Sequence, residues 1–402
     1  MTQRNVRSSR RRRAAAVATG PVLTSANRQS FWEQYVEAPA PDRPNTRWHV
    51  SPFIDMAAYH FGWVWLLLPM LLTGPDRYND YLLFFAIAMG FNFAHRHYGL
   101  PYAYLDGDVF HTYQAKLTWF PLFCVALMVA TPFLITQERV APVGRPLVSG
   151  IVFFSLLWNF WHTHMQKYGI MRLYMAKDPA PAERKTPGWV DRLLVFCWFP
   201  LYFAYVAPKY RQLIVENGDS IKDYTTVVID FMELHQALLV IPSALIAAGA
   251  IGNWVWHDWR AHRMRNTARI SAATGNMLLS SSLLWTDPIK AYVAFAFSHA
   301  LEYMVFVWAY QRRAYRVKKQ PLTLNQRLLQ RPLLWYVAFS AVLLAVGILS
   351  TWYGRTLLIE MQFLGLTATG WIFYYAVYES LIHFYMDGFL WKMRKANVRA
   401  NI

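Results

Sequence analysis

The sequence predicts an all-α polytopic integral membrane protein of about ten transmembrane helices. Three observations carry that prediction. Hydrophobic residues make up 55% of the 402 residues and charged ones only 16%, against about 25% charged in a soluble domain. Aromatic residues reach 17%, with 18 Trp and 24 Tyr, which suits belts of amphipathic rings at two membrane–water interfaces. Apolar runs of spanning length or nearly so, the second and seventh being short, recur along the chain, separated by short basic segments.

The runs fall at about 53–73, 81–95, 117–136, 147–164, 191–208, 227–251, 270–285, 288–310, 333–353 and 362–386. Thr286-Asp287-Pro288 separates the seventh from the eighth, since proline favours a tight turn or a break there. Residues 1–50 hold Arg10 to Arg13 and lack a cleavable signal pattern, so they read as a basic, disordered cytoplasmic tail. The membrane domain is expected over 51–391, and 392–402 as a short basic cytoplasmic tail.

Charge sets the orientation. The net charge is +17. Putting the N-terminus in the cytoplasm places 32 of the 40 Lys and Arg in or at the ends of inner segments and 7 in outer loops. The positive-inside rule then gives N-in/C-in, with the bacterial inner membrane as the expected location. The basic balance therefore reflects topology and anionic lipid, and no nucleic-acid partner is expected. Cys124 and Cys197 both lie in apolar runs, which excludes a disulfide scaffold and a cysteine-based zinc site.

The functional signal is histidine. Of twelve, nearly all fall on or near the cytoplasmic side of the predicted bundle. Imidazole is the commonest metal ligand, and ionisable groups inside a membrane by default mark function. A metal site near the inner side of the bundle is therefore expected, with His95, His97, His162, His164, His299, Glu302, His383 and Asp387 as ligands. His60, Asp106, Asp108, His111, Asn159, Gln166 and Glu379 are candidate additional ligands or supporting partners.

Spacing qualifies several of these. Residues two apart on a helix face about 200° apart, so His95 and His97 converge only if their helix ends near His95, as Gly99 and Pro101 would encourage. Asn159, His162 and Gln166 share one helical face, and His164 lies off it. His299 and Glu302 have the i, i+3 spacing of di-iron bundles in reversed order. Tyr375, Glu379, His383 and Asp387 repeat every four residues on one face. His49, His257 and His262 sit in basic stretches and read as solvated or lipid-contacting.

Paired histidines at cytosolic helix ends, His95-Arg96-His97 and His162-Thr163-His164, with His299 and His383, resemble the membrane-bound, histidine-rich non-haem iron enzymes. That superfamily includes fatty-acid desaturases and hydroxylases. The scattered histidines and acids also resemble those of the membrane carotenoid-cleaving dioxygenases. The resemblance implies oxygen activation at iron on a lipid, acyl or other hydrophobic substrate, by desaturation, hydroxylation or oxidative cleavage. Two iron ions are the expected cofactor, with one ion or another divalent metal left open. A cytosolic electron-transfer protein would then be a partner, docking on the basic inner face. Two other readings stand beside this one: a membrane acyltransferase using a single catalytic histidine, and a proton-coupled transporter.

Overall fold

In a computed structural model the described residues are all-α apart from one hairpin of two-residue strands. The structure describes residues 48–73, 78–178, 185–206, 222–261, 266–316, 332–356 and 362–392, together with 181, 208 and 211. The basic tail expected over 1–50 lies outside these except for its last three residues, as do His262 and the C-terminal tail beyond Lys392.

Helix α1 (Pro52–His60) starts at Ser51, whose hydroxyl caps the Ile54 N–H, and runs on as a π-helical turn from Asp55. It meets α2 (Val64–Leu72) at a 61° bend, so the first apolar run is a broken element. Helix α3 (Tyr78–His97) follows, and a π-helical turn at Pro101–Leu105 leads to Asp106. The Asp106 carboxylate caps α4 (Gly107–Thr136) by accepting from the Asp108 and Val109 N–H groups.

Helix α5 (Ala141–Ala176) is the longest. The run expected at 191–208 is α6 (Gly188–Phe196), α7 (Trp198–Leu201) and a π-helical turn, not one straight span. The next run is split at His235 into α8 (Lys222–Leu234) and α9 (Gln236–Arg260). Then come α10 (Thr267–Trp285), α11 (Pro288–Arg316) and α12 (Pro332–Thr356). The final run opens with the hairpin β1 (Gln362–Phe363) and β2 (Leu366–Thr367), and α13 (Ala368–Leu390) begins only after it. Its two-residue turn has Leu364 and Gly365 at positive φ, the backbone that such hairpins require.

Several of these helices mark a membrane protein. Among the described residues, four are long and apolar enough to cross a membrane (α4, α5, α9 and most of α11), and five if the bent α1–α2 pair counts as one span. Within their apolar windows only 17% of α4 and 22% of α9 is buried inside the protein, against 67% of α11. Helix α11 is therefore the central post, while α4 and α9 present apolar surface outward, as lipid-facing helices do.

Small residues bring the inner helices close. A Cβ on Gly347 of α12 would lie 2.8 Å from the Gly90 Cα of α3, and one on Gly275 would lie 2.0 Å from the His60 carbonyl oxygen. Without hydrocarbon exclusion between helices, such close approach supplies the packing energy.

Two further buried polar networks join the helices. The first joins α6, α9 and α10. The Arg269 guanidinium, fully buried, pairs with Asp191 and Asp258, and Arg172 reaches Asp191 as well. The second lies around α1. Asp55 accepts from the His49 and Val50 N–H groups and from Tyr174, whose hydroxyl also meets His60 Nε2 at 2.9 Å.

His49 corrects an expectation, for it is buried and not solvated. Its Nδ1 lies 2.8 Å from the Tyr59 hydroxyl, and its ring stacks on Phe306. Burial first, then the charges of Arg313 and Lys177, holds its pKa well below the ordinary 6.5. The unfolded chain thus binds a proton that the fold refuses. The resulting stability is full above about pH 6.5 and falls by about 1.4 kcal/mol per pH unit below it. A melting temperature measured in detergent at about pH 7.5 and about pH 5.5 drops accordingly, and His49→Gln makes the drop smaller. An equal drop in that variant would contradict the assignment.

Candidate metal centre

The site forms where α3, α5, α11 and α13 meet, and each helix delivers one imidazole. His95 and His299 have ring centres 4.8 Å apart, His299 and His162 5.3 Å, His162 and His383 5.2 Å, and His383 and His95 4.8 Å. The four rings close a quadrilateral. Asp387, one helical turn beyond His383, turns Oδ2 toward two of them, 3.5 Å from His383 Nε2 and 3.6 Å from His162 Nε2.

The spacing of neighbouring rings is of the size expected between two ligands of an ion. Bonds of about 2.0–2.1 Å put an imidazole centre about 3.2 Å from a metal, so neighbouring rings lie about 4.5 Å apart at right angles and about 5.2 Å apart at tetrahedral angles. The donor atoms of His95, His299 and His383 lie within 4.8 Å of one another, as do those of His162, His383 and Asp387. Hydrogen bonding agrees. Both ring nitrogens of His95 and of His299, and Nε2 of His162 and of His383, are buried and have no hydrogen-bond partner among the described residues. Such orphaned atoms would be costly unless something else engages them, and an ion would take one nitrogen from each ring.

The remaining carboxylate oxygen is spoken for. Asp387 Oδ1 accepts from the Tyr303 hydroxyl at 2.8 Å and from Trp391 Nε1 at 3.0 Å. These bonds fix the carboxylate plane and leave Oδ2 aimed at the histidines. Such outer partners orient metal ligands.

Three expected ligands stand elsewhere. Helix α3 continues through His97, so the 200° separation holds and His97 points away from His95. Its Nδ1 lies 2.7 Å from the Phe93 carbonyl and its Nε2 2.8 Å from the Tyr375 hydroxyl. His164 likewise turns off the His162 face, bonding the Phe160 carbonyl and packing among Phe196, Phe199 and Phe295. Glu302 is buried but paired with Lys167, and it also accepts from Ser298 and Gln166. An ammonium in contact with it satisfies the charge that a metal would otherwise have to balance.

The candidate supporting residues divide in the same way. Gln166 is a neighbour of the site, donating 2.9 Å to the His299 carbonyl and 3.1 Å to Glu302. Glu379 pairs with Arg96 at 3.0 Å and lies 3.8 Å from His97. Asn159 is half-buried on α5, a turn before His162. His60 belongs to the Asp55–Tyr174 network, with Nδ1 2.6 Å from Ser271. Asp106 is the α4 cap, and Asp108 and His111 are exposed on the first turns of that helix.

Sequence reasoning missed Lys167, Tyr303 and Trp391. Lys167 follows Gln166 directly in the sequence. Tyr303 and Trp391 each stand four residues after a site residue, His299 and Asp387, and that spacing was the available signal.

A cavity of about 190 Å³ adjoins the site between α3, α4 and α13. Leu100, Val125, Met128, Ile382 and Met386 form apolar wall, and His383 and the Arg96–Glu379 pair also line it. Val125 is 45% exposed on the outward face of α4, so the cavity abuts surface that lipid would cover.

Comparison with protein-family models, with curated proteins and with solved structures finds no match to this chain.

Proposed function

We propose that the chain is a membrane oxidoreductase in which His95, His162, His299, His383 and Asp387 hold a redox-active metal, and that its substrate is a lipophilic molecule taken from the bilayer. The observation that carries this reading is the convergence of four imidazoles, from four helices, with their nitrogens unspent. A single-histidine acyltransferase has no use for four. A proton carrier would need them hydrogen-bonded in a relay, and they are not bonded to one another.

Imidazole with one carboxylate suits iron, in keeping with the resemblance to the histidine-rich iron enzymes. Ferrous iron bound there would supply oxygen activation for desaturation, hydroxylation or oxidative cleavage. The donor set favours one ion over two, because Glu302 and Glu379, the carboxylates that could bridge a pair, are committed to Lys167 and Arg96.

The protein's own part is position and dryness. The ligand helices hold four neutral imidazoles facing inward, and Asp387 adds one negative charge. Phe384, 4.6 Å from the His162 ring, helps exclude water. The apolar cavity beside His383 would seat part of a hydrocarbon substrate, entering between α4 and α13 from the lipid. We read the bundle as ten spans with both ends cytoplasmic, in a bacterial inner membrane, on the partition of Lys and Arg. That basic inner face would dock an acidic electron-transfer protein.

The test compares lipids extracted from cells producing the wild type with those from cells producing His162→Ala at equal protein level. Mass spectrometry is expected to find lipids that have gained oxygen, lost hydrogen or been cleaved in the wild type alone. Identical lipid profiles from the two would overturn the proposal.

A further inference from the structure

Beside the imidazole set lies a file of oxidisable aromatic rings. Tyr303 is buried on α11, its ring 5.0 Å from His383 and 5.7 Å from His95. Trp391 follows, with its ring centre 6.4 Å from Tyr303 and its Nε1 donating to the Tyr303 hydroxyl at 2.9 Å. Tyr102 stacks on Trp391 at 5.1 Å, and Tyr310 packs edge-on at 5.2 Å. All these separations are contact distances for aromatic rings. Trp391 is half-buried at the end of α13, and the next residue, Lys392, is exposed. The file thus runs from the imidazoles to the protein surface without a gap.

Packing alone explains rings in contact. The hydrogen bonds that orient Asp387 add a route for a proton. The Tyr303 hydroxyl donates to Asp387 Oδ1 at 2.8 Å, and Trp391 Nε1 reaches the same oxygen at 3.0 Å. A phenol that loses an electron must also lose its proton. A carboxylate in hydrogen-bond contact gives that proton a place to go and to return from.

We propose that Tyr303 and Trp391 form a one-electron route between the metal centre and the surface beside Lys392. The proposal rests on the redox-metal reading above. Tyr303 gives one electron to the oxidised centre as its phenol proton crosses to Asp387 Oδ1. Trp391 then returns an electron to Tyr303, and the proton moves back. The vacancy now on Trp391 is filled from outside by a soluble one-electron redox protein. Each passage delivers one electron and leaves both residues unchanged. Tyr102, stacked on Trp391, shields the indole from water while it is oxidised.

The experiment starts the transfer from the surface end. In the full-length Lys392→Cys variant, a thiol-reactive ruthenium photo-oxidant is attached at position 392. Cys124 and Cys197 are buried and remain unlabelled. The protein is kept in detergent with excess zinc, a redox-silent ion. A flash is expected to produce a neutral tyrosyl radical, detected by electron paramagnetic resonance and transient absorption. Adding Tyr303→Phe, which removes only the hydroxyl, lowers the tyrosyl yield at least tenfold. Trp391→Phe, which keeps a ring in place, slows its appearance at least tenfold. A tyrosyl yield unchanged by Tyr303→Phe, or a rate unchanged by Trp391→Phe, overturns the route. The metal reading fails separately, if protein as purified carries no metal.

Discussion

Replacing His299 with alanine lowers metal affinity by at least a hundredfold, which is about 2.7 kcal/mol. His299 contributes two buried nitrogens without partners and lies between His95 and His162 in the ring of imidazoles. Losing it breaks the set and leaves three imidazoles with Asp387. The same substitution at His97 or His164 leaves metal content unchanged, because those rings are spent on the carbonyls of Phe93 and Phe160. The check is elemental analysis of each variant after size-exclusion chromatography, so that only folded protein is counted. Equal metal loss from His97→Ala and His299→Ala would show that the cluster is not the binding site.

The second large effect is on folding. Arg269→Met leaves Asp191 and Asp258 buried without the guanidinium that neutralises both. In the native fold Arg269 meets Asp191 through Nη1 at 3.1 Å and Nη2 at 2.5 Å, and Asp258 through Nε at 2.9 Å. Its guanidinium also lies 5.2 Å from the centre of the Trp254 ring. Breaking a buried ion pair from one side costs about 3–5 kcal/mol, and here one cation serves two carboxylates. That approaches the whole stability of a typical fold, about 5–15 kcal/mol. The variant is expected to elute as aggregate, or to melt far below the wild type. Arg269→Met with Asp258→Asn recovers part of the loss, since Asp191 keeps its pair with Arg172. A single variant that melts with the wild type would show that the network contributes little.

How far the sequence disclosed this molecule depends on what kind of physics each feature obeys. Hydropathy is additive along the chain, so the helical runs were legible, from the bent α1–α2 pair to α13. Where a run is cut by local backbone geometry it was not. The break at His235 and the hairpin before Ala368 both sit inside stretches apolar enough to pass for continuous spans. For the site, helical periodicity was the reliable part. It separated His162 from His164 and gave His383 and Asp387 a common face. At His95 and His97 the same periodicity was set aside in favour of an early helix end, and α3 instead runs on through both.

Partner choice was the illegible part. A carboxylate in an apolar helix must be compensated, but nothing along the chain says by what. Glu302 could meet a metal or an ammonium, and Lys167 settles it from a helix more than a hundred residues earlier. Arg269 raises the same difficulty. Its charge was read as a marker of the inner side, while in the fold it is fully buried between two aspartates from different helices.

The central claim is that His95, His162, His299 and His383 surround one ion with Asp387 beside them. X-ray absorption spectroscopy of the purified protein, together with metal stoichiometry, tests it most directly. The account predicts one ion per chain and a first shell dominated by imidazole nitrogen at about 2.0–2.2 Å, with the multiple-scattering pattern of several histidine rings. A metal-free protein, or an ion surrounded by oxygen with no imidazole signature, would contradict it.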